Sequence, residues 1–183
     1  DLGKEDTANE TVGDLFHAGL LCNESSVYND DGVWRISGDP TEAALIVSSL
    51  KAGLDEEKIR NQLPRLDTVP FESEHQYMAT LHDGSVAGHD YNVIYVKGSL
   101  ERVLARAVDD LTGRPLDEMA RQEIESQAQE MASEGLRVLA FARKHVPLSI
   151  KEITHADVKN ELTYLGLQGM IDPPRQEAFA AIK

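Results

Sequence analysis

One cysteine, Cys22, is all the chain has, which excludes an internal disulfide and the paired thiols of a structural zinc site. A lone thiol fits a reducing compartment, and its ordinary use is as a small, buried apolar side chain on a helix. No stretch approaches the roughly 18 apolar residues that a membrane-spanning helix needs. Basic residues are scarce: 18 Lys and Arg face 32 Asp and Glu, a formal net charge of −14. Nucleic-acid binding needs a basic patch against the phosphates, so that class of partner is excluded. A mononucleotide is not excluded, because one or two cations in a cleft hold a phosphate while the rest of the surface stays acidic.

The common catalytic templates are also missing. There is no Gly-x-x-x-x-Gly-Lys-Ser/Thr, Gly-x-Gly-x-x-Gly, Gly-x-Ser-x-Gly or His-Glu-x-x-His. The histidines at 17, 75, 82, 89, 145 and 155 have no tight ligand spacing, so each is given a solvated or capping role and no metal site is expected. Asn29-Asp30-Asp31 lacks the spacing and the distant bidentate Glu of a calcium loop. The polar start, Asp1-Leu2-Gly3-Lys4-Glu5-Asp6, has no Met and is expected to be neither a signal peptide nor a natural beginning.

What is present reads as one globular domain, with 41% apolar and 27% charged residues in 183. Val12, Leu15, Phe16, Gly19 and Leu20 have helical spacing up to Cys22. A turn at Asn29-Asp30-Asp31-Gly32 precedes a short strand, Val33 to Ile36. Gly38-Asp39-Pro40-Thr41-Glu42 writes a helix start, with Asp39 as cap, Pro40 at the first position and Glu42 three residues after the cap. Ala43, Val47, Leu50 and Leu54 are expected to form that helix's buried face. A second short helix starts at Asp55.

Strands are expected over 66–71, 76–82, 91–96, 136–142 and 162–167. Helices are expected after Gly98-Ser99, burying Leu100, Val103, Leu104, Ala107 and Val108, and from Leu116 to Ser133, burying Met119, Ile124, Ala128 and Met131. Gly135 suits a left-handed helix end. Several strands follow one another directly, so the fold class is α+β, a mostly antiparallel sheet flanked by helices.

Four residues invite a functional reading, each beside a plainer one. Lys97 ends an apolar strand before Gly98 and a helix start, which suits an anion or simply a lysine reaching solvent. Arg137 sits among Leu, Val, Ala and Phe, and needs a partner, a cleft or a solvent face. Phe71 is either core filler or a stacking surface for an aromatic ligand. The capping-box position of Glu42 explains it without any ligand.

Five segments in order join these residues. They are Gly38-Asp39-Pro40-Thr41-Glu42-Ala43-Ala44-Leu45, Pro70-Phe71-Glu72-Ser73-Glu74, Tyr95-Val96-Lys97-Gly98-Ser99-Leu100-Glu101, Gly135-Leu136-Arg137-Val138-Leu139-Ala140 and Gly169-Met170-Ile171-Asp172-Pro173-Pro174-Arg175. The series, from about Val12 to Arg175, resembles the nucleotide-binding domain of type II P-type cation-transporting ATPases. The resemblance implies that Phe71 stacks on adenine, Glu42 accepts from the adenine amino group, Lys97 lies near adenosine and phosphates, and Arg137 meets the polyphosphate. It assigns Ser73, Gln76 and Gly98 to the same pocket, and Asp172 and Arg175 to a hinge.

Residues 1–168 would be the nucleotide-binding domain, and 169–183 the hinge and start of the phosphorylation domain. Two departures from the family pattern stand out: Gln76 stands where a Lys is common, and Ser99-Leu100 replaces Ala-Pro. The family's Asp-Lys-Thr-Gly-Thr motif is absent from the chain. By resemblance the chain binds ATP (Mg-ATP in the intact pump) and presents the γ-phosphate to an aspartate of a separate domain, without turning it over. Its implied partners are ATP or ADP and the phosphorylation and actuator domains. The expected setting is a monomeric cytoplasmic domain of an integral membrane protein, in the plasma membrane of a prokaryote. The alternative is an acidic α+β protein-interaction module without nucleotide binding.

Overall fold

The computed structural model describes residues 10–171, with side chains from residue 13 onward. Helix α1 (Glu10–Leu21) leads into a hairpin of β1 (Ser26–Asp30) and β2 (Val33–Ser37). Next come α2 (Pro40–Lys51), α3 (Glu56–Gln62), β3 (Arg65–Glu72), β4 (Tyr77–His82) and β5 (Tyr91–Gly98). A one-turn α4 (Leu100–Leu104), β6 (Ala107–Asp110), α5 (Glu118–Ser133), β7 (Leu136–Pro147) and β8 (Leu162–Ile171) complete the order. Six strands form one sheet in the order β3-β4-β5-β7-β8-β6, antiparallel except where β6 runs parallel to β8. The fold is therefore α+β, a mostly antiparallel sheet flanked by helices. No helix among the described residues is long and apolar enough to cross a membrane.

Both faces of this sheet are covered, which explains why the central strands are apolar throughout. Tyr77, Ala79 and Leu81 of β4 join Ile94, Val96, Ala140 and Ala142 under α4 and α5, where Val103, Leu104, Ala120 and Ile124 pack. The alternate residues Met78, Val93, Tyr95 and Phe141 meet Leu20, Leu21, Leu45, Ile46 and Ile59 of the other three helices. Strand alternation thus distributes side chains between two cores rather than between core and water. Burying each such Val, Leu or Ile contributes roughly 1.5–3 kcal/mol.

Several expected elements hold and others shift. Asp39 caps α2 through the amides of Thr41 and Glu42 at 2.8 and 3.2 Å, and Asp55 caps α3 through Lys58. The buried face of α2 is Ala43, Leu45, Ile46 and Ser49, rotated from the expected Val47 and Leu50 because two layers, α1 and the sheet, press on it. The helix expected through Val108 stops at Leu104. Ala107–Asp110 instead adds a parallel edge strand beside β8, leaving Val108 half exposed. Met119, in the first turn of α5 after its Asp117 cap, is also exposed, and the buried face is Ala120, Ile124 and Ala128, the last two as expected.

Strand β1 was not expected. Its signal is the Asp31-Gly32 turn, both residues at positive φ (50° and 85°), which suits a two-residue hairpin. Strand β7 runs five residues past the expected Ala142 to Pro147. Strand β8 runs past Leu167 to Ile171, still paired to Leu136, so it crosses the boundary expected at residue 168. Cys22 is fully buried one residue beyond α1, and burial pushes its thiol up, which keeps it inert.

Candidate functional site

Lys97 and Arg137 share a sheet face because β5 and β7 pair in register, with Lys97 opposite Phe141 and Arg137 four residues before it. Alternation sets both on the side of Tyr95, Leu139 and Phe141, beside the start of α2. There a cleft of about 590 Å³ opens, lined by Glu42, Phe71, Gln76, Lys97, Gly98 and Arg137, with Glu24, Ser25, Asp39, Thr41, Ser99 and the end of β7 between them. That volume lies within the range of small-ligand sites.

The cleft floor is an ion pair. Lys97 Nζ donates to Glu42 Oε1 at 2.6 Å, with the two side chains only 7% and 17% exposed. The other carboxylate oxygen accepts from the Glu24 amide at 3.0 Å and the Ser25 hydroxyl at 3.2 Å. Glu42 therefore does not complete a capping box with Asp39; its carboxylate turns outward to Lys97 and the 24–25 turn. Burial pushes the Glu42 carboxyl up, but the Lys97 hydrogen bond and charge and the Glu24 and Ser25 bonds outweigh it, so the group titrates below its ordinary range.

Buried Asn23 builds that turn. Its amide donates to the carbonyls of Gly19 (3.1 Å) and Glu42 (2.8 Å), and its oxygen accepts from the Ser25 amide at 2.8 Å. The Arg65 guanidinium donates to the carbonyls of Leu21 and Asn23, both at 2.6 Å, closing the end of α1 with positive charge. Gly38 is required here: its φ is +105°, and a Cβ would lie 2.4 Å from Ser25 Oγ. Gly98 is required for a different reason. It faces Tyr77 across the sheet, and a Cβ would sit 2.6 Å from the Gln76 carbonyl oxygen and 2.7 Å from Tyr77 Cβ.

The rim is exposed and irregular. Between Val69 and Glu72 the β3–β4 register slips by one residue, a bulge on an edge strand, where Pro70 costs no sheet hydrogen bond. Phe71 follows it and stands 57% exposed on the cleft wall, so it is not core filler. Gln76 closes the next turn with φ +57°, and its carbonyl accepts the Ser99 amide at 3.0 Å. Arg137 is exposed, donates to the Thr41 hydroxyl at 3.2 Å and lies close enough to Asp39 to influence it. Burial pushes the Asp39 carboxyl up, but the Glu42 and Thr41 amides, the Thr41 hydroxyl and the Arg137 charge hold it below its usual range.

Among the expected site residues, Ser73 lies in the turn outside this lining, and Asp172 and Arg175 fall outside the described residues. The chain's own sequence pattern missed Glu24, Ser25 and Ser99 as lining residues. Nothing marks Glu24 and Ser25 locally, because Asn23 places them through bonds to a helix 19 residues on. Ser99 Oγ is buried in the cleft wall without a hydrogen-bond partner among the described residues. Helix α4 behind it is only five residues long, and Lys97 neither stands alone before a helix start nor reaches solvent: its ammonium is paired with Glu42.

Three histidines depart from the solvated role expected of them. His82 is buried, and burial pushes its imidazole down to about 4, with Arg65 and Arg60 lowering it further against the Leu63 carbonyl bond. Nδ1 faces that carbonyl at 2.9 Å and carries the proton, so Nε2 accepts from the Thr80 hydroxyl, also at 2.9 Å. His75 and His155, 80 positions apart, meet beside Glu72 with ring centroids 4.0 Å apart and planes tilted by 44°.

The family model for the P-type ATPase cytoplasmic domain N matches residues 11–177. A cation-transporting ATPase (pma1) of Synechocystis sp. is 49% identical over 168 residues, covering 90% of this chain and 18% of that protein. The probable cation-transporting ATPase F of Mycobacterium tuberculosis is 36% identical over 169 residues, again 90% and 18%. Calcium-transporting ATPase 1 of Lactococcus lactis is 34% identical over 171 residues, 92% of this chain and 19% of its own length. The chain thus spans less than a fifth of the curated relatives it matches. With this cleft on this sheet, and a family match over nearly its whole length, the chain belongs to the cytoplasmic N domains of the P-type cation-transporting ATPases.

Proposed function

We propose that the cleft binds an adenine nucleotide and that the chain serves as the ATP-delivering domain of a membrane cation pump. In this reading adenine lies on the exposed face of Phe71, a contact worth about 1–3 kcal/mol by analogy with base stacking. Its amino group would use what acceptor capacity Glu42 retains, since three of about four lone-pair positions on that carboxylate are already taken. The polyphosphate would leave past Arg137, the exposed cation on the rim, whose planar fork suits phosphate oxygens. The γ-phosphate then goes to an aspartate on a separate domain, and the chain itself leaves ATP intact.

Magnesium would be held through the phosphates. Asp39 and Glu42 spend their acceptors on amides, hydroxyls and Lys97, so the lining offers no dedicated cage for that ion. The lining charges also predict where affinity comes from. Glu24, Asp39 and Glu42 face Lys97 and Arg137 alone, so the phosphates gain little and the nucleoside carries most of the binding.

The observation that carries this reading is the convergence of Glu42, Phe71, Lys97 and Arg137 on one cleft of small-ligand size. Titrating the labelled protein with ATP, ADP and adenosine while following amide resonances tests it. Shifts should cluster at Phe71, Lys97, Gly98 and Arg137, with ATP and adenosine differing by less than about tenfold in affinity. Resonances that stay put at millimolar nucleotide would instead favour the acidic protein-interaction module.

A further inference from the structure

Outside the cleft, the turn Ser73–Gln76 and the loop 148–161 bring Glu72, His75 and His155 together, with one ligand atom from each inside a 4.8 Å circle. We propose that these three side chains form a binding site for a divalent transition-metal ion of the zinc class. Nothing in this proposal depends on what the cleft holds.

The separations suit such an ion. Glu72 Oε2 lies 3.3 Å from His75 Nε2 and 3.9 Å from His155 Nε2. Bonds of 2.0–2.1 Å to a tetrahedral zinc put neighbouring ligands about 3.4 Å apart. Of the three pairs, one already has that spacing, a second has to close by about half an ångström, and the third, between the two histidines, lies within 4.8 Å. The side chains have room to do so, being 51%, 34% and 41% exposed for Glu72, His75 and His155. Two imidazoles and one carboxylate favour zinc and its neighbours over magnesium or calcium, which prefer oxygen throughout. A water molecule completes the fourth position.

The support behind the ligands is what distinguishes this cluster from histidines that merely meet on a surface. His155 Nδ1 lies 2.6 Å from the hydroxyl of Tyr77, a residue buried at 1% exposure. A metal on Nε2, the ring nitrogen nearer Glu72, leaves Nδ1–H to donate to that oxygen, the arrangement that outer partners impose on metal-bound histidines. The Tyr77 ring is itself fixed beneath the Arg106 guanidinium at 4.5 Å. The loop that presents His155 is tied down as well. Ile153 N donates to Asp67 at 2.7 Å, Thr154 donates to Asp157 at 2.8 Å from both its amide and its hydroxyl, and Asn92 donates to the Ile150 carbonyl at 2.8 Å. On the opposite side, the amides of His75 and Gln76 both donate to the Glu72 carbonyl, at 3.0 and 2.7 Å.

Occupancy would pin the turn between β3 and β4 to the β7–β8 loop. Phe71 and Gln76 flank the ligands on that turn, so the metal would stiffen one rim of the cleft.

Zinc titration of the untagged 183-residue chain by calorimetry, with millimolar magnesium present, tests the proposal. One zinc per chain is expected, with affinity reduced at least about tenfold in His75→Ala and in His155→Ala. Tyr77→Phe, which keeps the ring but removes the hydroxyl, should weaken zinc by about tenfold, and His145→Ala should leave it unchanged. Cobalt added to the unaltered chain should give the visible absorption of a low-symmetry, four-coordinate centre, a readout that needs no variant to fold. Less than one zinc per chain, displacement by magnesium, or affinity unaltered in both His75→Ala and His155→Ala would overturn the proposal.

Discussion

The floor and the rim of the cleft are built on opposite terms. At the floor, Lys97 and Glu42 lie almost out of water, and each is held by the strand and helix that also carry the core. At the rim, Phe71, Gln76 and Arg137 stand exposed on a bulge, a turn and a strand end. A buried ion pair is costly to assemble and costlier to break, because removing one partner strands the other. An exposed side chain is coupled to little besides its ligand. The floor is therefore tied to the fold, while the rim can change without the fold noticing.

The largest effect should come from Lys97→Met, which leaves Glu42 without its cation. It should lower stability by about 3 kcal/mol in urea unfolding and abolish nucleotide binding. The double variant Lys97→Met with Glu42→Gln should recover most of that stability while binding stays lost. A double variant no more stable than the single would show that the pair is not what stabilises the floor.

Acid should act next. The unfolded chain protonates His82 near its ordinary value of about 6.5, whereas the buried, neutral imidazole resists until about 4. Between those values the unfolded state binds more protons, so stability falls as pH falls, by roughly 3 kcal/mol over the interval. Glu42 works in the same direction, since a depressed carboxyl contributes stability that is lost as pH drops through its folded value. Urea midpoints at pH 7 and pH 4.5 measure the loss, and imidazole resonances assign it. A His82 that titrates near 6.5 in the folded protein would remove the main cause.

At the rim, Phe71→Ala should weaken nucleotide about tenfold and leave the urea midpoint in place. A shifted midpoint would mean that Phe71 belongs to the core after all. Gln76→Lys should have the smallest effect. An added exposed cation is worth about 0.2–1 kcal/mol, so ATP should bind up to about fivefold more tightly, adenosine should be unaffected, and the gain should fade with salt.

How much of this was legible in the chain follows from how local each cause is. The Asp39 cap, the strand Tyr91 to Val96 and the Gly135 helix end are written in adjacent residues, and all form. The α2 face and the strand β6 were misread because they depend on layers from elsewhere: α1 and the sheet turn α2, and β8 recruits Ala107–Asp110. Phe71, Lys97 and Arg137 were legible as candidates through the order of their motifs. The bond joining Lys97 to Glu42 was not, since 55 positions separate them.

By itself the sequence determined the α+β class, the family and several of the residues that line the cleft. Composition, caps and motif order are properties of neighbours along the chain, and they need no folding to be read. Only the tertiary structure decided that Lys97 is half of a buried pair rather than a lone cation, that His82 is held neutral, and that Glu72, His75 and His155 meet. Those are consequences of strand register and loop packing, which set the charge and proton state of each group by what stands a few ångströms away.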